Sequence, residues 1–173
     1  MEFEFSPEHK QLRETVRWHA EEKMHLHVAE ADDAECFPKT LFARWGELGS
    51  IGARYLEADG GIGMDKISDY IIREEWERVG QASCAAFSAH RHHDIWLIWR
   101  AGTEEKKSWF SAPAVTGTKI ACFGLSEPAG GSNIRAMKTR VEKVDGIYKI
   151  NGSKLYITNW PMADFMVLVA RTA

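Results

Sequence analysis

The chain has 173 residues, 45% of them hydrophobic, and a formal net charge of −3 with both signs mixed along its length. That size can bury a core as one domain or two small ones, and without a basic patch the composition argues against nucleic-acid binding. No apolar run reaches the ~18 residues of a membrane span. The N-terminus is acidic and lacks the pattern of a signal peptide, and Cys36, Cys84 and Cys122 form no CxxC pair. These features predict reduced thiols and a cytoplasmic location.

The first two-thirds of the chain has the period of amphipathic helices. Ser6 and Pro7 are typical of an N-cap and a first helical position. The apolar residues that follow recur every four positions and predict one buried face, formed by Leu12, Val16, Ala20 and Met24. Further helices are predicted over 38–49, 66–79, 83–100 and 103–109.

Two of these helices have predicted buried faces. In the helix over 38–49 the face consists of Leu41, Phe42, Trp45 and Leu48, and in the helix over 66–79 it consists of Ile67, Tyr70 and Ile71. Gly80 and Gly102 are expected to end the two helices that precede them.

The apolar period changes from 3.6 to 2 after Lys119, which predicts strands. Asp145-Gly146 and Asn151-Gly152 each favour a two-residue hairpin turn, because both central positions of a type I′ turn have positive φ. The boundary between the helical and strand regions falls within 111–118. We therefore expect an α+β fold, with an all-α helical domain over 1–115 and a β domain over 116–173.

The segment SEPAGGSN predicts a turn with two hydroxyl groups. Ser126 and Ser132 flank Gly130 and Gly131, which let main-chain N–H groups approach a ligand closely. This pattern fits a ligand-binding loop, but an ordinary surface loop has the same composition.

The segment HRHHD allows three interpretations. His90 and Asp94 lie one helical turn apart and could bind a metal, yet no matching ligands stand out elsewhere, and we predict no metal site. Alternatively, His90 and His93 face solvent or a pocket wall. The third interpretation depends on a family resemblance.

Three motifs carry that resemblance: LSEPAGGSN, INGSKLYITN and MADFMVLVART. They resemble the acyl-CoA dehydrogenase family of flavoproteins, with some features of its glutaryl-CoA dehydrogenase branch, and weaker similarity extends through the helical part. The resemblance implies an N-terminal helical domain followed by the first part of a middle domain, here an incomplete antiparallel β-barrel-like domain, and FAD as the cofactor.

The resemblance also implies roles for individual residues. The cofactor-binding residues are Phe123, Leu125, Ser126, Ser132, Tyr156, Ile157 and Thr158. Ser132 also borders the acyl-CoA, and His90 matches a position beside the acyl pocket. Ser126 stands in place of the usual Thr and Tyr156 in place of the usual Trp. Glu127 is expected to shape the turn.

The implied reaction is α,β-dehydrogenation of an acyl-CoA thioester, with hydride transfer to flavin N5. The family's catalytic base lies on a C-terminal helical bundle that this sequence does not include, so no catalytic residue is predicted within the chain. We expect the N-terminal piece of a longer, homo-oligomeric dehydrogenase that passes electrons to a separate acceptor. The alternative is a truncated, non-catalytic homologue that acts as a packing or binding module.

Overall fold

The computed structural model describes residues 4–35 and 37–172, without the side chains of Leu26 and of residues 81–84. Cys36 and the Cys84 side chain therefore lie outside the described part. Cys122 is described, and it is buried with a free thiol.

The helices follow the predicted order, but wider π-helical turns interrupt them. Helix α1 (Pro7–His19) runs through one such turn (Ala20–Met24) into α2 (His25–Asp33), and α3 (Thr40–Glu47) and α4 (Lys66–Val79) follow. Helix α5 (Gln81–Ser88) continues through a second π-helical turn (Ala89–Ile95) into α6 (Trp96–Ala101). Helix α7 (Glu104–Lys106) leads through a third (Lys107–Ser111) into α8 (Ala112–Val115).

Helix α1 begins as predicted. The Ser6 hydroxyl accepts a hydrogen bond from the His9 amide at 3.3 Å, and Pro7 occupies the first turn. The predicted apolar face is buried at Val16, Ala20 and Met24. The sequence signals for this helix are therefore confirmed.

Helix α4 has the predicted bounds but a different buried face. The Asp65 side chain caps it by accepting from the Ser68 amide at 2.7 Å. Ile71 is buried as predicted, together with Ile72 and Trp76, whereas Ile67 and Tyr70 are exposed. The predicted face was wrong at Ile67 and Tyr70 because it was inferred from the apolar residues of the first turns alone. Burial of the bulky Trp76 orients the helix so that Ile67 and Tyr70 lie on the side away from the core. Leu48 after α3 is likewise exposed.

Aromatic side chains form the centre of the helical core. The Trp45 ring is fully buried, with centroid distances of 5.3 Å to Phe42, 4.9 Å to Phe87 and 6.4 Å to Trp76. These residues come from α3, α4 and α5, so one cluster joins three helices.

The strands are β1 (Ala121–Gly124), β2 (Arg140–Val144), β3 (Ile147–Asn151) and β4 (Phe165–Leu168). Strands β2 and β3 form the predicted antiparallel hairpin, and its turn residues Asp145 and Gly146 have φ values of 52° and 81°. Positive φ at both positions confirms the type I′ prediction.

The second predicted hairpin, at Asn151-Gly152, was wrong. Gly152 has φ of 155°, and a Cβ at this residue would lie 2.4 Å from Thr139 Oγ1. The lack of a side chain at Gly152 therefore allows the main chain to pass close to Thr139, and among the described residues no strand pairs back on β3 after this residue. The next strand, β4, instead pairs in parallel with β1.

The described strands make two small sheets that do not close. Sheet β1–β4 is parallel and sheet β2–β3 is antiparallel, and a parallel bridge between Arg140 and Arg171 connects them. The helical region followed by a β region agrees with the α+β prediction, but the pairing is mixed, and an antiparallel barrel is not formed by these strands. Every helix in the described ranges is too short or too polar to cross a membrane.

The aromatic cluster yields a stability prediction. We expect Trp45→Ala to lower the free energy of unfolding by about 3–5 kcal/mol, because it removes a large buried side chain and leaves a cavity. Trp18, which is 52% exposed on α1, is the control, and Trp18→Ala should change the value by roughly 0.5 kcal/mol. Urea unfolding followed by circular dichroism measures both, and equal losses would contradict the assignment of the core.

Candidate functional site

The Ser-Glu-Pro segment after β1 forms a tight turn. The amide of Glu127 donates to the carbonyl of Gly130, and the amide of Gly130 donates back to the carbonyl of Glu127, both at 3.0 Å. A Cβ at Gly130 would have open space, and one at Gly131 would lie 3.6 Å from Ser126 Oγ. Ser126 is half-buried under this turn, while Ser132 is exposed.

The Glu127 carboxylate holds three surrounding groups. It accepts from the amide of Lys138 at 2.7 Å, from the amide of Thr139 at 2.9 Å and from Lys154 Nζ at 3.0 Å. Hydrogen bonds from Thr139, then from Lys138 and Lys154, lower the pKa of Glu127 to about 2. The carboxylate is thus ionised and fully engaged in structure, which leaves it unsuited to proton transfer.

Lys154 joins the two segments that carry the predicted cofactor residues. Besides its bond to Glu127, its ammonium group donates to the Leu125 carbonyl at 2.9 Å. The next amide, Leu155 N, donates to the Ser126 carbonyl at 3.0 Å. Leu125 and Ser126 therefore lie directly beside the segment that contains Tyr156, Ile157 and Thr158.

The segment after Lys154 is irregular and divides its side chains between two environments. Tyr156 is 88% exposed and has φ of 56°, and Thr158 is exposed as well. Ile157 is half-buried and lines a groove of about 350 Å³. The other lining residues are Thr139, Ile150, Gly152, Lys154, Trp160, Met166 and Leu168. The groove is thus mainly apolar and does not include the predicted cofactor residues other than Ile157.

Asn159 anchors this segment and was missed by the sequence reasoning. Its side-chain amide is buried and donates to the carbonyls of Ala86 at 2.9 Å and Ala121 at 3.3 Å. Its φ of 70° lies in the left-handed region that asparagine tolerates. The signal was its place at the end of the ITN motif, directly after Thr158.

His90 lies in the interior of the described helical region. The ring is fully buried, with Nε2 2.9 Å from the Ala114 carbonyl and Nδ1 accepting from the Ala121 amide at 3.0 Å. Burial lowers the pKa of His90 to about 4, so the ring is neutral. Because backbone groups occupy both ring nitrogens, this geometry opposes the predicted substrate contact, and the His90–Asp94 metal pair as well. The described residues contain no cluster of three metal-ligating side chains.

Among the predicted cofactor residues, Phe123 has an aromatic neighbour that the sequence reasoning did not assign. The exposed His93 ring stacks on Phe123, with a centroid distance of 5.4 Å and an interplanar angle of 15°. Ser132 lies on the turn rather than on either joined segment. The structure thus brings five predicted residues to two adjacent segments, Leu125, Ser126, Tyr156, Ile157 and Thr158, with Phe123 at the start of the first.

Sequence profiles identify the family. Residues 6–118 match the profile "Acyl-CoA dehydrogenase, N-terminal domain", and residues 122–173 match "Acyl-CoA dehydrogenase, middle domain". The chain belongs to the acyl-CoA dehydrogenase family.

Individual relatives agree with this assignment. The short-chain specific acyl-CoA dehydrogenase of Clostridium acetobutylicum is 36% identical over 99% of this chain and 45% of its own length. The solved butyryl-CoA dehydrogenase of Megasphaera elsdenii superposes with a TM-score of 0.90 at 32% identity, over 100% of this chain and 46% of that one. A glutaryl-CoA dehydrogenase of Mycobacterium smegmatis in complex with FADH2 gives 0.92 at 28% identity, over 97% and 43%. The chain thus spans about half the length of these relatives, and they do not single out one branch.

The joined segments fit a flavin on one side. Tyr156 and Thr158 of the joined segments and Ser132 of the turn present exposed hydroxyl and aromatic groups, and the space at Gly130 of the turn lets a ligand approach the main chain. The described residues supply one wall of such a site. They offer no free carboxylate within the joined segments, because Glu127 is engaged.

The Glu127 contacts yield a second prediction. We expect Glu127→Gln to lower the midpoint of urea unfolding at neutral pH, because the neutral amide cannot balance Lys154 and accepts fewer hydrogen bonds. Since the folded-state pKa is depressed, the carboxylate stabilises the fold above about pH 4 and loses this effect as pH falls toward about 2. The variant should therefore differ most from the parent at neutral pH and least in acid.

The exposed Glu142 on β2 is the matched control, and Glu142→Gln should leave the unfolding midpoint nearly unchanged at every pH. A Glu127→Gln curve that runs parallel to the parent curve from neutral pH into acid would contradict the assigned contacts.

Proposed function

We propose that this chain forms the N-terminal helical domain and the first part of the middle domain of a FAD-dependent acyl-CoA dehydrogenase, with the change of domain at residues 115–116. The observation that carries the proposal is the pair of bonds from Lys154 and Leu155 to Leu125 and Ser126. They hold together the two family motifs in a chain whose fold resembles flavin-containing family members.

In this proposal the two joined segments hold the cofactor. The main chain of Leu125 and the main chain and hydroxyl of Ser126 would contact the flavin ring, the Ser132 hydroxyl would contact the diphosphate and the acyl-CoA, and the Thr158 hydroxyl would lie toward the N5 edge. Tyr156 offers a flat surface beside the ring. Bound FAD would accept the hydride in the redox step. The protein's part is to orient the flavin and to keep it bound.

The substrate is an acyl-CoA, and the reaction is α,β-dehydrogenation. Relatives are named for short-chain, isovaleryl and glutaryl substrates, so the acyl group is left open. The catalytic base is proposed to come from polypeptide beyond these residues, because Glu127 is engaged in structure. The complete enzyme would be a homo-oligomer that passes electrons to a separate acceptor, and its cytoplasmic location stays a sequence-based prediction.

A second candidate function is that of a non-catalytic packing module. The β2–β3 hairpin exposes Ile147, Tyr148 and Ile150, and Trp160 beside the groove is also exposed. Exposed apolar residues grouped in this way favour contact with another polypeptide. This role does not require any flavin to bind.

Flavin titration separates the two functions. We expect the purified chain to bind FAD, seen as a shifted visible spectrum and quenched flavin fluorescence. The variant Ser126→Ala/Thr158→Val should bind about ten-fold more weakly, since each lost hydrogen bond costs roughly 0.5–1.5 kcal/mol. Thr15→Val, on the exposed side of α1, is the control and should match the parent.

Acyl-CoA added to the flavin complex should cause no bleaching without an added base or a complementing chain. A parent that binds no FAD would support the packing module. Binding that is equal in the parent and the double variant would remove Ser126 and Thr158 from the site.

A further inference from the structure

The π-helical turn Ala89–Ile95 faces the first strand of the proposed flavin site. A wider turn of this kind often occurs at functional positions because it redirects side chains. Here His90 accepts from the Ala121 amide, and the ring of His93 stacks on Phe123. Asp94 is the next residue of the turn, and a charge on it would add to the effect of burial in raising the pKa of the Cys122 thiol. Two side chains of this turn thus contact β1 directly, at residues 121 and 123.

Asp94 is the unusual member of this set. Its side chain is 0% exposed, and neither carboxylate oxygen has a hydrogen-bond partner among the described residues. A buried carboxylate without partners is unfavourable by several kcal/mol, whereas the neutral acid is tolerated far better. Burial accordingly raises the pKa of Asp94 to about 8.

The neighbouring charges do not neutralise Asp94. Beyond the effect of burial, a charge on Asp94 raises the pKa of the Cys122 thiol on β1 and of the Tyr55 hydroxyl in the loop before α4, and that hydroxyl donates to the Arg91 carbonyl. On its own helix, the Arg91 guanidinium pairs with Asp69 of α4, and the His90 nitrogens are bonded to backbone groups. Asp94 therefore lies buried on the turn that packs against β1, and no side chain among the described residues forms a hydrogen bond or ion pair with it.

We propose that Asp94 is a positioning residue that holds β1 against the helical region only as the neutral acid, and that its ionisation loosens β1 and weakens flavin binding. The flavin part rests on the proposed function. The loosening of β1 does not, and it can be measured on the chain without any ligand.

The sign of the pH effect follows from the two states of the chain. In the unfolded chain Asp94 loses its proton near pH 4, while in the folded chain it keeps the proton to about pH 8. Over that interval the folded state binds more protons, so stability falls as pH rises. As pH passes about 8, the charge forms at the contact itself, and local opening of β1 should increase.

Cys122 reports on this opening because it lies on β1, is buried and has a free thiol. The test uses the full chain with Cys36→Ser and Cys84→Ala, so that Cys122 is the sole thiol among the three cysteines. Its rate of reaction with a disulfide reagent is measured under native conditions in this parent, in Asp94→Asn and in Asp94→Leu. Asp32→Asn, at an exposed position of α2, is the control.

The rate in the parent is divided by the rate in Asp94→Asn at each pH, which removes the general rise in thiolate with pH. We expect a ratio near one at about pH 6 that rises about ten-fold by about pH 9.5. The negative charge of Asp94 disfavours the Cys122 thiolate, so this direct effect lowers the ratio and cannot produce the rise. A ratio that stays flat, or a control that behaves like Asp94→Asn, overturns the proposal.

Asp94→Leu keeps the experiment decisive if the asparagine variant does not fold, because leucine is neutral and apolar. FAD affinity is then measured in the same proteins over the same pH range. We expect it to fall with rising pH in the parent and to stay level in the neutral variants. No FAD binding at any pH in any of these proteins would refute the proposed function, while the thiol ratio still decides the role of Asp94. A level affinity in the parent, with the thiol ratio rising, would overturn the link to the flavin.

Discussion

The arrangement of the whole structure depends on how Ala121 of β1 is held by two buried polar side chains. Its amide donates to His90, and its carbonyl accepts from Asn159. The same two side chains reach the helical region through the carbonyls of Ala114 and Ala86. A first strand with one neighbouring strand leaves main-chain groups unpaired, and buried groups of that kind must find partners. Histidine and asparagine supply them here, and in doing so they fix the position of β1 against α5 and α8.

The second fixed point is the buried ion pair of Glu127 and Lys154. A buried pair of this kind stabilises a fold only when further hydrogen bonds satisfy its remaining atoms. Two amides and the Leu125 carbonyl do so in this case. The pair therefore determines where the turn over residues 126–133 lies relative to the segment over 154–158. It also explains why Glu127, an acidic residue in the middle of a family motif, is unavailable for proton transfer.

Features that depend on residues close in the sequence could be predicted from the sequence. The predictions failed where contacts with residues distant in the sequence determine the conformation. The N-cap at Ser6, the bounds of α4 and the type I′ turn at Asp145-Gly146 follow from local chemistry and were confirmed. Asn151-Gly152 has an equally good local signal, yet Thr139, distant in sequence, requires the glycine for close approach. For His90, helical periodicity does not reveal the π-helical turn that directs its ring to Ala121, and its place beside the acyl pocket, which the family resemblance implied, stays a prediction. The residues of the two family motifs were predicted by resemblance. The hydrogen bonds of Lys154 that hold the two motifs together could not be predicted from the positions of these residues in the sequence.

The two fixed points have a consequence for how the proposed site forms. Both lie within the residues that the structure describes. The first acts on the main chain of β1, and the second acts on the segments after β1 and before β4. Their hydrogen bonds join residues 11–73 positions apart in the chain, and those of His90 and Asn159 form only when the helical and strand regions pack together. The geometry of these segments therefore depends on contacts among the described residues, even though the strands leave their sheets open. Closure of the β region would then add walls to the proposed site, whose main-chain positions these contacts already determine, in keeping with the general finding that preorganised sites lie on rigid supporting contacts.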